Sequence, residues 1–414
     1  MLNKSVFTRI LPLAAALSMI LTGCGMETIT PEPAPVQTTA PALQTTVSSG
    51  VTGSASVTSS AVPVSLTTAA LTDKTVVTGM TTTGLAAGTS SAVSLTAAQT
   101  TATTGVTKQY DTGEGKTRIE RGIMIIHSGT DHPRALEQYQ GNFPLGTRFA
   151  NAVNKWKNAL GSDINVWCMV PPTSYAFYKP EDVPDNNSNQ LENWENIESQ
   201  LKDVTGVPIW HTLNAHKDEP IYSLTDYHWQ PLGAFYAAEQ FSKLARVPFA
   251  SLSTYEKKQR EGYVGAFYWV NKISELNETK ETFTYYKPDN LDEIKCTYYN
   301  TSYKNPREGN LLREDMKTSA SYQIFGGTDQ IILQVDTNVN NGRTLVIFKD
   351  SFGNALVPFL THSFSKIVLC DFRFFDLNPV KFIKDVGATD MLFCINASTL
   401  MSSAKIKTID SLVK

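Results

Sequence analysis

The stretch that most restricts this chain is residues 344–354, Thr-Leu-Val-Ile-Phe-Lys-Asp-Ser-Phe-Gly-Asn. Its first half is a nearly unbroken apolar run, partly β-branched, the pattern of a strand buried on both faces. The run stops at Asp350 and Ser351, and Gly353 and Asn354 lead into Ala355, Leu356 and Val357. A strand that breaks there and enters a helix places the Ser351 hydroxyl at the carboxyl edge of an α/β sheet, where such folds bind ligands. Taken alone, Ser351 reads equally as a nucleophile or as a helix N-cap, since Asp and Ser are preferred caps.

The neighbouring pattern sets the fold class. Apolar strand-like runs occur at 121–127, at 164–170 before Pro171 and Pro172, at 207–211, at 366–370 and at 391–395. Between them, Phe149, Val153, Trp156 and Leu160 recur at helical spacing, with Gly161 as a stop. Leu191, Trp194, Ile197, Leu201 and Val204 mark a second helix. A third opens at Pro231 and carries Leu232, Phe235, Tyr236 and Leu244, and a fourth lies near 379–386. Alternating strands and helices imply a mostly parallel sheet covered on both faces. From 247 to about 320 the rhythm breaks into a polar, Tyr- and Phe-rich segment with strand-like pieces such as 265–270, read as a β-rich insertion over one sheet edge. No repeat and no Gly-rich nucleotide fingerprint occurs.

The first quarter is built differently. Lys4 and Arg9 precede a short apolar run at 10–21, the pattern of a signal-peptide core. It ends in Leu21-Thr22-Gly23-Cys24, which resembles a bacterial lipobox and implies removal of residues before Cys24 and lipidation of that cysteine. Residues 25–115 are dominated by Thr, Ser, Ala, Val, Pro and Gly, with almost no charge, and cannot bury enough apolar surface to offset ordering. They read as a tether between a membrane anchor and a domain spanning 116–414. A net charge of −3 with 18% charged residues gives no footprint for nucleic acid. Cys168, Cys296, Cys370 and Cys394 form no Cys-x-x-Cys pair, and buried thiols are favoured over a metal site.

A serine hydroxyl needs an imidazole to take its proton, and the imidazole needs an acceptor to fix its tautomer. Asp226-x-His228, in Leu-Thr-Asp-Tyr-His-Trp at 224–229, offers both groups in one turn. Two other readings stay open at this point. Asp226 could cap the helix that opens at Pro231, or the pair could ligate a metal, although no third ligand is evident.

The block 224–236, with Asp226, His228, Trp229 and Gly233-Ala-Phe-Tyr, resembles the signature of the DHHW family. The block Lys349-Asp350-Ser351-Phe352-Gly353-Asn354 through Leu360, and its continuation at 367–375, resemble that family's Asp-Ser nucleophile region. The resemblance covers roughly 120–400. It implies a three-layer SGNH-like α/β fold related to the SGNH domains of alginate O-acetylation proteins, with Ser351 as nucleophile, His228 as general base and Asp226 as its orienting acid. Tyr227 departs from the pattern, standing where the signature has its first His. Lys349 stands where GDSL-type esterases have Gly, and no Gly-x-Asn-Asp block supplies an oxyanion Asn.

Oxyanion donors are sought in the Ser351 N–H, in Gly326 and Gly327, and in Asn354, with a plain turn the favoured role for the glycine pair and a helix start for Asn354. Arg373 is a candidate for an anionic sugar group, with an ion pair to Asp371 or Asp376 as the competing role. His127 and Asp131 follow the first strand and would line the site if that strand joined the main sheet. Tyr263, Phe267, Tyr268, Trp269, Tyr285 and Tyr286 could stack on sugars, though an insertion needs aromatics in its own core. The expected function is that of an extracytoplasmic, lipid-anchored serine esterase or O-acyltransferase acting, as a monomer and without a cofactor, on acylated polysaccharide. The competing class is a catalytically silent carbohydrate-binding or scaffold lipoprotein of the same fold.

Overall fold

A computed structural model describes residues 109–111, 115–185, 189–327 and 329–414. The signal-peptide expectation, Cys24 and the tether expectation up to residue 108 lie outside the described residues, whereas Gln109–Asp111, expected as part of the tether, form a paired strand. Strands β1 (Gln109–Asp111), β2 (Lys116–Glu120), β3 (Ile123–Ser128) and β4 (Arg134–Glu137) pair in sequence as an antiparallel sheet. Then come α1 (Phe143–Leu160), β5 (Asn165–Met169), α2 (Tyr175–Tyr178), α3 (Gln190–Glu198), β6 (Thr205–Gly206), α4 (Trp210–Ala215) and α5 (Pro231–Ala245). A hairpin follows, with β7 (Glu256–Tyr263) joined to β8 (Glu281–Lys287) through α6 (Ala266–Asn271) and α7 (Ser274–Glu278). The chain continues through β9 (Lys295–Tyr299), β10 (Arg307–Gly309), β11 (Ile332–Asp336), β12 (Thr344–Lys349), α8 (Val357–Leu360), β13 (Lys366–Asp371), α9 (Pro379–Asp385), β14 (Asp390–Cys394) and α10 (Ser403–Leu412).

The main sheet has the order β10-β9-β11-β13-β12-β14-β5-β6. Its β13-β12-β14-β5-β6 half is parallel, and β11, β9 and β10 extend it antiparallel. This is the α/β sheet covered on both faces that the alternation predicts. Strand β12 sits between β13 and β14, and every one of its residues is buried. Leu345 and Ile347 point into a core shared with α5 and α8, while Val346 and Phe348 point into one shared with α1, α3, α9 and α10. The chain leaves β12 toward β13 through α8 on one face and returns to β14 through α9 on the other. The carboxyl end of β12 is therefore a topological switch point, where the flanking connections part and leave a crevice.

Several expectations are corrected. The strand at 121–127 belongs to the small antiparallel sheet and not to the main one. Its run looks like a central strand because both of its faces are covered. Met124 and Ile126 join the α1 core, and Ile123 and Ile125 lie under Phe267, Ile273 and Leu276 of the hairpin's helical segment. Residues 207–211 are not a strand. Pairing is confined to β6, and Trp210 already opens α4. Helix α3 ends at Glu198, so Leu201 and Val204 pack from beyond it. Residues 266–271 are helical where a strand was expected, with Phe267 buried and Trp269 47% exposed. The four described cysteines are buried free thiols. Among the described residues no helix is long and apolar enough to cross a membrane.

Trp156 anchors the α1 core. Its ring meets Phe348 and Phe393 edge-on at 4.8 and 5.2 Å, and its indole N–H donates to the Ile409 carbonyl at 2.9 Å. Trp156→Ala should lower the unfolding free energy by about 3–5 kcal/mol in urea titrations. A loss under ~1 kcal/mol would mean that this contact does not hold the layers together.

Candidate active site

The site forms where β12 ends. Asp350 caps the 3-10 turn Ser351–Leu356, its Oδ1 accepting the Phe352 N–H at 3.2 Å. Its Oδ2 accepts the Asn396 N–H at 2.8 Å and the Thr399 hydroxyl at 2.7 Å, tying the turn to the segment after β14. Because Asp350 is the cap, the Ser351 hydroxyl is left to face His228. The Ser351 N–H, at the first position of the turn, has no intrahelical acceptor.

Residues 224–229 close a tight loop between bridged Tyr222 and Trp229, just before α5. His228 Nε2 lies 2.7 Å from Ser351 Oγ, and His228 Nδ1 lies 2.7 Å from Asp226 Oδ1. Asp226 does not cap α5; Gln230 occupies the cap position. The Asp226 carboxylate instead serves its own loop, with Oδ1 also accepting the His228 N–H at 3.0 Å. Its Oδ2 accepts the Tyr263 hydroxyl at 2.5 Å and the Ala266 N–H at 3.0 Å. Burial pushes this carboxyl up, but the His228 charge and the donated hydrogen bonds outweigh it and hold it down at about 2.

The imidazole is fixed by packing as well. Tyr322 stacks on it at 3.8 Å and 11°, and the Tyr322 hydroxyl donates to the Ser351 carbonyl at 3.2 Å while accepting the Trp229 indole N–H at 3.1 Å. Tyr227, at the departure from the family signature, leans on the ring from another side at 4.1 Å. Both imidazole nitrogens are engaged, Nδ1 with Asp226 and Nε2 with Ser351, and among the described residues no third His, Cys, Asp or Glu joins this pair in a metal-binding group.

Beside Ser351 lies a charge-balanced cluster. Lys349, 2% exposed, binds Asp329 at 2.6 Å and Asp371 at 3.0 Å. Arg373 binds Asp371 through Nε at 2.8 Å and Nη2 at 2.6 Å, and Asp329 through Nη2 at 2.8 Å. Asn354 donates to Asp329 at 2.9 Å. Residues three apart in a 3-10 turn eclipse each other, so Asn354 lies on the face that carries Ser351. Against the cost of burial, the Lys349 and Arg373 charges hold the Asp329 carboxyl far below its ordinary range. Arg373 thus sits in an ion-pair network with Asp371 and Asp329, not with Asp376.

The glycine pair forms a plain turn, the reading that competed with an oxyanion role. The Gly326 N–H already donates to Ile324 O at 3.1 Å and the Gly327 N–H to Gln323 O at 3.0 Å, so neither donor is available to an oxyanion. His127 lies within β3 of the small sheet and Asp131 follows it, which removes the reason for placing them beside the site. Tyr263, Phe267, Tyr285 and Tyr286 are buried. The residues that sequence patterns missed are Tyr322, Asp329 and Glu281, and Tyr263 is legible in them only as a sugar-stacking or core aromatic and not as a partner of Asp226. None stands in a motif, and only their contacts reveal them.

The DHHW protein family profile matches residues 131–370. The chain belongs to the DHHW family. A DHHW family protein from Eubacterium siraeum DSM 15702 has a crystal structure similar to it, 35% identical over 75% of this chain and 99% of that one, with a TM-score of 0.65. Bacillus cereus PatB1, solved with a sulfonyl adduct, is 18% identical over 70% of this chain and 99% of its own, with a TM-score of 0.57, and shares the fold. The O-acetyltransferase domain of Pseudomonas putida AlgJ is more distant, 9% identical with a TM-score of 0.41, and no property is carried across from it. No curated protein sequence matches. The DHHW chain thus has the SGNH-like α/β architecture that its two motif blocks imply.

Two outcomes follow for this DHHW protein. Asp329→Asn leaves Lys349 and Arg373 sharing one carboxylate, and should cost about 3 kcal/mol in denaturant titration; a change below ~1 kcal/mol would show the cluster to be solvent-relaxed. The Asp226 carboxyl is depressed in the folded state, so its contribution to stability is complete above the unfolded value near ~4 and is lost as pH falls toward about 2. Wild-type stability should therefore drop more steeply across that window than that of Asp226→Asn, and parallel urea midpoints would contradict the assignment.

Proposed function

We propose that this DHHW protein is a serine esterase or O-acyltransferase that works through an acyl-enzyme on Ser351. The observation that carries this reading is one imidazole bridging two partners, with Ser351 Oγ at 2.7 Å on Nε2 and Asp226 Oδ1 at 2.7 Å on Nδ1. In the first half-reaction Ser351 Oγ attacks an ester carbonyl while His228 Nε2 takes its proton. Asp226 stabilises the imidazolium through Nδ1–H and keeps its own negative charge, consistent with its depressed pKa. The tetrahedral intermediate collapses as His228 returns the proton to the leaving sugar oxygen. In the second half, water or an acceptor hydroxyl gives its proton to His228 and attacks the acyl-serine, and collapse of this second tetrahedral intermediate breaks the Ser351 ester as His228 returns the proton to Oγ. The developing oxyanion is assigned to the Ser351 N–H, with the Asn354 carboxamide on the same face as the second candidate donor.

The substrate proposed is an acylated extracellular or cell-wall polysaccharide, the acyl group being acetyl. Cys24 would carry a lipid that holds the protein outside the cytoplasmic membrane, with the stretch from 25 to 108 as the tether, a reading that rests on sequence alone. Arg373 is charge-compensated by two carboxylates, so a role in selecting anionic sugars is the weakest of the proposed assignments.

The test is to incubate the protein with p-nitrophenyl acetate and with acetylated oligosaccharides, with and without an acceptor glycan. Ser351→Ala should lower kcat/KM by roughly a thousandfold or more, and His228→Ala by a similar factor. Acetyl release from the oligosaccharide in water marks an esterase, and transfer to the glycan marks a transferase. Acetyl release that persists in Ser351→Ala would reject the nucleophile.

A further inference from the structure

The β7–β8 hairpin reaches the proposed site through a single cross-strand pair. Tyr263, the last residue of β7, stands opposite Glu281, the first of β8. The ladder shifts register between Arg260 and Tyr263, at a bulge containing Gly262 with φ +76. Bulges re-aim the side chain that follows them. Here the re-aimed side chain is Tyr263, which is 2% exposed, lies 5.2 Å from the Phe283 ring, and places its hydroxyl 2.5 Å from Asp226 Oδ2. Its partner Glu281 accepts the Leu224 N–H at 2.9 Å, the Thr225 N–H at 3.0 Å and the Thr225 hydroxyl at 2.5 Å. One pair thus grips both the loop backbone and the carboxylate that the loop presents.

A carboxylate has two equivalent oxygens, and its terminal torsion is soft. For His228 to keep one tautomer, one oxygen must stay on Nδ1. We propose that Tyr263 is a positioning residue that fixes Asp226 Oδ2 and so holds Oδ1 on His228. The proposal rests on the reading of His228 as the base for Ser351. Burial and the neighbouring Asp226 charge push the Tyr263 phenol far up, so its O–H remains a donor. The Ala266 N–H is the second donor to Oδ2. It comes close enough only because residue 265 is glycine, since a Cβ there would overlap the Asp226 backbone and Cβ. Without the Tyr263 hydroxyl, Oδ2 keeps one donor, and the carboxylate can rotate away from the imidazole.

The test uses the full chain and Tyr263→Phe, which keeps the ring and removes only the hydroxyl. Two readouts are taken. One is the far-downfield proton resonance of the imidazole N–H shared with Asp226, observed by NMR and independent of turnover. The other is the split between kcat and KM on p-nitrophenyl acetate. Tyr263→Phe should move or exchange-broaden the resonance and lower kcat about tenfold with KM unchanged. Phe283→Leu, which loosens the packing of the same ring while leaving the hydroxyl, should lower the thermal midpoint yet leave the resonance in place. The proposal is overturned if Tyr263→Phe leaves both resonance and kcat at wild type, or if the two variants change them alike. If Ser351→Ala retains full activity, the catalytic reading fails by itself, and the resonance still decides whether Tyr263 holds the Asp226–His228 pair.

Discussion

A carboxylate buried in protein must be met by donors or it takes up a proton. Asp226 is 3% exposed and accepts from the His228 N–H, His228 Nδ1, the Tyr263 hydroxyl and the Ala266 N–H. Much of the local architecture serves that requirement. The loop must be tight enough for a residue two positions on to return its own N–H to Oδ1. A glycine must stand at 265 for the α6 backbone to approach. A hairpin must be inserted after α5 to bring a tyrosine to the far oxygen. With Nδ1 held by Asp226, the other imidazole nitrogen, Nε2, is the one that meets Ser351.

The serine arrives from the opposite direction, by way of sheet topology. Strand β12 is central, flanked by β13 and β14 in parallel register, so its carboxyl end opens into the crevice between diverging connections. Asp350 holds the turn there with three accepted hydrogen bonds, and the Lys349–Asp329–Arg373–Asp371 network seals the flank. That network carries two positive and two negative charges, so it fixes geometry without adding net charge to the site. Tyr322 links the two halves, stacking on His228 while bonding to the Ser351 carbonyl.

Sequence reasoning reached the elements whose signal is local. The apolar run of β12, its stop at Asp350-Ser351, the Asp226-x-His228 spacing and the helix opening at Pro231 can each be read within a dozen residues. It misplaced the strand at 121–127 because burial on two faces looks the same whether the cover is a parallel neighbour's helices or, as here, a core on one side and α6–α7 on the other. It read 265–270 as a strand because Phe, Tyr, Trp and Val favour strands locally, whereas the capped turn that delivers the Ala266 N–H to Asp226 is a tertiary demand. Gly326 and Gly327 allow either an oxyanion role or a plain turn in sequence, and the turn is what forms, with the Gly326 N–H turned back onto Ile324. Glu281, Tyr322 and Asp329, and the contact of Tyr263 with Asp226, could not be found, because each acts on a residue 25 or more positions away, in contacts with no sequence periodicity.

The claim on which all of this turns is that Ser351 becomes acylated. The direct measurement is intact-protein and peptide mass spectrometry after a brief, acid-quenched incubation with p-nitrophenyl acetate. The expected result is one added acetyl group per chain, located on Ser351, and absent when His228 is replaced by Ala. An unmodified Ser351 in an enzyme that turns over ester, or an acetyl group that His228→Ala leaves untouched, would contradict it.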